Sequence, residues 1–176
     1  MRRGLLFRLG IYLAGVNPAE AIDQQNLYAD AHFAKTMGLK LATGRDLMPG
    51  DSGKVLINET LAKQLAIRTD KAMGTLLFSE GDHKYEVAGV VRDFNFKSLH
   101  NDISPFMIIY ASKASEINNL IVNIHIKDYA NFLGSVKTVW HKNLPRTPFV
   151  YTFMNERMQS TYETDIVLSQ IINSLR

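Results

Sequence analysis

The chain has 176 residues, 46% of them hydrophobic and 21% charged, which suits one compact domain or two small ones and excludes a disordered tail. Its formal net charge is +3, but the lysines and arginines are scattered among the acids, so nucleic-acid binding has little support. There is no cysteine, which removes disulfides, thiolate zinc sites and cysteine nucleophiles together.

The N-terminal stretch MRRGLLFRLGIYLAGV places two arginines before an apolar run, as a signal peptide would, but Arg8 interrupts the run and no A-x-A site follows. No segment reaches the roughly 18 to 20 apolar residues of a membrane span, so the chain as written is expected to be soluble. Residues 1–25 form an N-terminal segment that is poorly assigned, and Asn17-Pro18 marks a break after the first apolar segment.

The segment AEAIDQQNLYADAHFAKTMGL reads as a strand followed by a short helix. TGRDLMPGDSG, Thr43 to Gly53, carries three glycines, a proline and two aspartates and reads as a loop pinned by Arg45 and Asp46. In KVLINETLAKQLAI, Val55 to Ile57 form a short buried strand and Asn58 caps the helix that follows. Glu59 sits favourably at the helix start, and Leu61, Ala62 and Leu65 share one face.

GTLLF, the turn SEGDH and KYEVAGVV have the spacing of an antiparallel hairpin, and FMIIY, Phe106 to Tyr110, is apolar throughout as in a strand buried on both faces. NLIVNIHI alternates Leu120, Val122, Ile124 and Ile126 with more polar positions and is predicted as a strand. Asp128 then caps a helix whose stripe is Tyr129, Phe132, Leu133, Val136 and Trp140. Pro145 and Pro148 end it before a predicted strand, FVYTFM, so Leu120 to Phe153 reads as a βαβ element on an α+β core. The last segment, NERMQSTYETDIVLSQIINSLR, is helical in propensity and has no Gly or Pro stop.

Reactive chemistry has little to stand on. The histidines, His32, His83, His100, His125 and His141, show no i, i+4 pair, so a metal site has no spacing signal. Ser98, His100 and Asp102 supply the parts of a hydrolytic triad. In an extended segment, however, they point side by side, whereas a nucleophile needs a base aimed at it from another element, and no G-x-S-x-G elbow is present. Gly44, Gly50, Gly53 and Gly74 make no phosphate-binding motif. The aromatics Phe94, Phe96, Phe149, Tyr151 and Phe153 read as core at strand spacing, in preference to a ligand box.

Taken in order, HFAKTMGLKLATGRDL, VLINETLAKQLA, MGTLL, YEVAGVVRDFNFKSLHNDISP and PFVYTFMNERMQSTYETD resemble the extracytoplasmic domain of MacB-like ABC transporter permeases, within the wider FtsX-like group. The motif positions are Gly44, Arg45, Asn58, Glu59, Gly89, Arg92, Asp93, Phe94, Phe96, Ser98, Leu99, His100 and Pro105. Arg92, Asp93 and Ser98 are expected to fix the strand-to-loop exit, with Phe94 and Phe96 turned inward.

The resemblance implies an α+β periplasmic core domain, with a βαβ porter-like part at 26–45 and 112–153 and a smaller, mainly β inserted part at 46–111. Residues 154–176 would be a helix leading toward a transmembrane helix missing from this chain. It implies no catalysis and no cofactor in the domain, with ATP used by a separate cytoplasmic ATPase subunit. Partners would be a second permease copy and a periplasmic adaptor or substrate, in the bacterial inner membrane with this domain on the periplasmic side. The alternatives are a soluble ligand-binding sensor and a small hydrolase using Ser98, His100 and Asp102.

Overall fold

The computed structural model describes residues 6–81, 83–94, 103–117, 119–124 and 128–152. They fall into two units, one of 6–94 and 103–123 and one that begins at 124 and contains the long helix.

In the first unit, seven strands form one sheet: β1 (Phe7–Leu13), β2 (Ile22–Ala29), β3 (Leu41–Gly44), β4 (Lys54–Asn58), β5 (Leu76–Ser79), β6 (His83–Val91) and β7 (Phe106–Tyr110). Their order is β3-β6-β4-β7-β2-β1-β5, and β5 also pairs with the first half of β6. The sheet therefore closes on itself as a six-stranded barrel, with β3 continuing alongside the second half of β6. Closure pairs most strand edges among the described residues, and the short β3 is hydrogen-bonded on one side, to β6. Two short helices accompany the barrel, α1 (Phe33–Thr36) and α2 (Glu59–Gln64).

The N-terminal apolar run, which the sequence left unassigned, is β1, antiparallel to both β2 and β5. Its alternation explains the arginine that breaks the run. Phe7, Leu9, Ile11 and Leu13 turn toward the core while Arg8 points outward and donates to Asp23 on β2.

The barrel interior holds Ile11, Val55, Ile57, Leu77, Tyr85, Val87, Val90, Met107 and Ile109, joined by Leu61, Ala62 and Leu65 from α2. Between Val87 and Val90 the register against β4 shifts by one residue, since Val55 faces Val87 but Leu56 faces Gly89. The extra residue, Ala88, is a β-bulge, and without it Val87 and Val90 could not share a face. On the opposite face of the sheet, Leu27, Ile108 and Leu56 stand in one cross-strand row, and all three are buried. This double burial is why FMIIY and VLI are apolar without alternation.

Strands from both of the expected parts, 26–45 and 46–111, lie in this one sheet, where β2 pairs with β7 and β3 with β6. No sheet boundary falls at 46 or 111. Cross-strand ladders between the two segments hold them as one body.

The second unit contains α3 (Tyr129–Asn143), capped by Asp128, whose carboxylate accepts from Asn131 N at 3.0 Å. Phe132, Leu133, Val136 and Trp140 are its half-buried stripe. After Pro145 the chain folds back, with Trp140 Nε1 donating to Thr147 O and the Phe149 ring 5.8 Å from that of Trp140.

The two predicted strands flanking α3 are not strands over their described residues. Residues 119–124 and 149–152 are irregular, and Leu120 and Val150 are 82% and 80% exposed. Alternation supplies two faces but no ladder, and neither segment is paired in the sheet over its described residues. Tyr151, expected in the core, is exposed as well. The remainders of both segments, Phe153 and the C-terminal helical segment lie outside the described residues. Among the described residues, no helix is long and apolar enough to cross a membrane.

Candidate functional site

The described motif residues gather into two clusters on neighbouring strands of the barrel. The first is built around Asn58, the last residue of β4 and the N-cap of α2, which is 1% exposed. Its Oδ1 accepts from Leu61 N at 3.0 Å, which caps the helix, and from Phe106 N at 2.9 Å, which ties in β7. Its Nδ2 donates to Asp93 Oδ1 at 2.9 Å and to Ser104 O at 3.0 Å. The amide thereby makes all four hydrogen bonds open to it, as a buried amide must to offset its desolvation.

Asp93 answers from the end of β6. Its carboxylate accepts from Thr60 N at 2.9 Å and Thr60 Oγ1 at 2.8 Å, while its own N–H donates to Glu59 Oε2 at 3.1 Å. Two peptide segments about 35 residues apart thus cap one another reciprocally. Phe94 packs edge-on against Phe106 at 5.3 Å, and Pro105 O accepts from Gln25 N on β2. Arg92 contributes through its backbone, donating N–H to Lys40 O at 2.8 Å, and is itself exposed.

The second cluster is the crossing of β3 and β6. Gly44 and Gly89 are cross-strand partners, and Gly44 has φ +78°. A Cβ on Gly44 would lie 2.6 Å from Ala88 O, and one on Gly89 would lie 2.5 Å from Arg45 O. Only glycine allows this backbone approach.

Arg45 then forks onto Asp51 with Nη1 at 2.6 Å and Nη2 at 2.9 Å, and Asp51 also accepts from Met48 N. The guanidinium beside Asp51 holds its carboxyl below the usual carboxylate range, and Asp51 raises Arg45 in turn. Asp46 has a lesser part than expected: its side chain accepts from Leu47 N, and Arg45 uses its carbonyl. The principal anchor is Asp51, the second of the two aspartates in the loop. Its signal was the six-residue spacing from Arg45 across a Pro-Gly turn.

The hydroxyl–carboxylate contact in the first cluster, Thr60 Oγ1 to Asp93 Oδ2, belongs to the cap of α2. Phe96, Ser98, Leu99, His100 and Asp102 lie outside the described residues. Among the described residues, no three His, Cys, Asp or Glu side chains converge as metal ligands.

A cavity of about 470 Å³ opens at the Phe7 end of β1, lined by the stacked Phe7 and Tyr28 rings, by Phe33 and Asp30, and by Glu116 and Leu120. Behind it, burial pushes the Tyr85 phenol above its ordinary pKa, and the neighbouring Tyr28 and Glu116 act in the same direction.

A mixed α+β barrel braced by capping residues defines a class of domain before it defines an activity. The chain has a MacB-like periplasmic-domain fold. It is similar to the periplasmic region of MacB from Actinobacillus actinomycetemcomitans, with a TM-score of 0.62 and 15% identity over 88% of this chain and 72% of that one. It is also similar to a permease-protein domain from Porphyromonas gingivalis, with a TM-score of 0.57 and 20% identity over 88% of this chain and 82% of that one. The sequence matches no protein-family model and no curated protein.

Proposed function

We propose that this chain is an extracytoplasmic domain of a bacterial ABC transporter permease, a non-catalytic element that relays ATP-driven motion to the far side of the membrane. The observation that carries the reading is the fold shared with the periplasmic region of MacB and with a permease-protein domain, alongside the ordered motifs that resemble MacB-like permeases. The motif residues serve as braces between strands. A relay has to transmit displacement without yielding, and reciprocal caps and glycine-tight crossings suit that task better than bond making.

On this reading the domain uses no cofactor of its own. Its partners are a cytoplasmic ATPase subunit, a second permease copy, and an adaptor or substrate on the outer side, with no nucleic acid. Affinity purification of the protein expressed from its native gene, from detergent-solubilised membranes, tests the assignment. An ATPase subunit carrying a Walker motif should co-purify. Recovery of the protein from the soluble fraction with no such subunit would overturn the proposal.

A further inference from the structure

We propose that the cavity at the Phe7 end of β1 is a binding site for a small organic cation, a protonated amine carried on an aromatic or short aliphatic body. This goes beyond the permease reading and stands independently of it, since every residue invoked belongs to this chain.

The volume of about 470 Å³ fits a small molecule and is within the ordinary range of ligand pockets. Its apolar component is concentrated: Phe7 and Tyr28 stack at 5.3 Å with both rings half-buried, and Leu120 at the rim is 82% exposed. An apolar body resting there would cover surface that now meets water.

The polar component is mainly acidic: Asp30 and Glu116 line the cavity together with His32, and no lysine or arginine does. Each carboxylate spends one acceptor on a local backbone N–H, Asp30 on His32 and Glu116 on Lys113, which holds it in place with acceptor capacity to spare. An amine entering a cavity lined by two carboxylates and two aromatic rings is favoured by charge and by cation–π attraction. A carboxylate ligand is repelled.

The test uses three ligands that share one body, 4-phenylbutylamine, 4-phenylbutanol and 4-phenylbutyrate, titrated into the 176-residue chain by calorimetry and by amide NMR shifts. The amine should bind about tenfold more tightly than the alcohol, the value of one charge-assisted hydrogen bond, and the acid more weakly than either. Shifts should centre on Tyr28–Thr36 and Ser115–Ile121. D30N and E116Q remove charge but keep an oxygen that accepts the same backbone N–H. The double variant should bring the amine to the affinity of the alcohol, with the melting temperature unchanged. Equal affinity for all three ligands, shifts centred elsewhere, no binding of the amine up to about 10 mM, or undiminished amine binding by the double variant would overturn the proposal.

Discussion

Asp93→Ala removes the acceptor on which the end of β6 and the start of α2 depend. Three donors lose their partner: Asn58 Nδ2 keeps only Ser104 O, Thr60 N at the helix start is left unpaired, and Thr60 Oγ1 must turn to water. A half-buried carboxylate accepting three bonds is worth less than three buried ones, so the expected loss is about 2–3 kcal/mol. That corresponds to a melting temperature lower by about 5–10 °C for a domain of this size. Asp93→Asn separates geometry from deletion. Its Oδ1 still accepts from Asn58 and Thr60, and its amide can donate to the Thr60 hydroxyl, so the loss should be about 1 kcal/mol. Thermal unfolding followed by circular dichroism reads both variants. An alanine variant melting within about 1 °C of the parent, or an asparagine variant as unstable as the alanine one, would refute the reciprocal cap.

Gly89→Ala should cost about 3 kcal/mol or prevent folding, because its Cβ would meet Arg45 O at 2.5 Å, whereas alanine at the exposed Gly134 of α3, where a Cβ meets nothing within 4 Å, should be neutral or stabilising. Denaturant unfolding distinguishes the two. Asp51→Ala should lower stability by about 2 kcal/mol at neutral pH, since the carboxylate accepts two bonds from Arg45 and one from Met48 N. The folded-state pKa of Asp51 is depressed, so its contribution is fully present above the unfolded value of about 3.9 and fades as pH falls through the folded value. The gap between variant and parent should therefore narrow below about pH 4, and a gap independent of pH would contradict the pairing. Gln24 is 1% exposed, and neither polar atom of its side chain has a partner among the described residues. Gln24→Leu should therefore raise stability by about 1–2 kcal/mol, and a destabilised variant would show that the amide is satisfied in solution.

What the residues revealed in advance was local. Asn58 before ETLAKQ announced a cap, the SEGDH turn announced the β5–β6 hairpin, and the unbroken FMIIY run announced burial on both faces. Each signal lies within a dozen residues and rests on one period or one hydrogen bond. The barrel was not legible, because closure depends on β1 joining β5 across more than sixty residues. The FRLGIYL alternation that marks β1 was masked by its likeness to a targeting segment. The expected strands on either side of α3 failed for the complementary reason. Alternation predicts what a strand would bury, but a strand forms only where another backbone completes its ladder. In the candidate site, Asp93 was singled out for its neighbours in sequence, whereas its partners are Asn58 and Thr60, about 35 residues away. Asp51 was missed because Asp46 lies beside Arg45 in sequence, whereas the Pro-Gly turn that brings Asp51 back to the guanidinium shows only as a six-residue spacing.

The central claim is that this domain stands outside the cytoplasmic membrane and is attached to it. The chain has no cysteine, so Lys63→Cys, at an exposed position of α2, gives a single label site in this domain. The variant would be expressed from the native gene, and spheroplasts would be treated with a membrane-impermeant maleimide before lysis. The account predicts labelling without lysis, with the labelled protein sedimenting with the membrane. Labelling only after lysis, or recovery of the labelled protein in the soluble fraction, would contradict it.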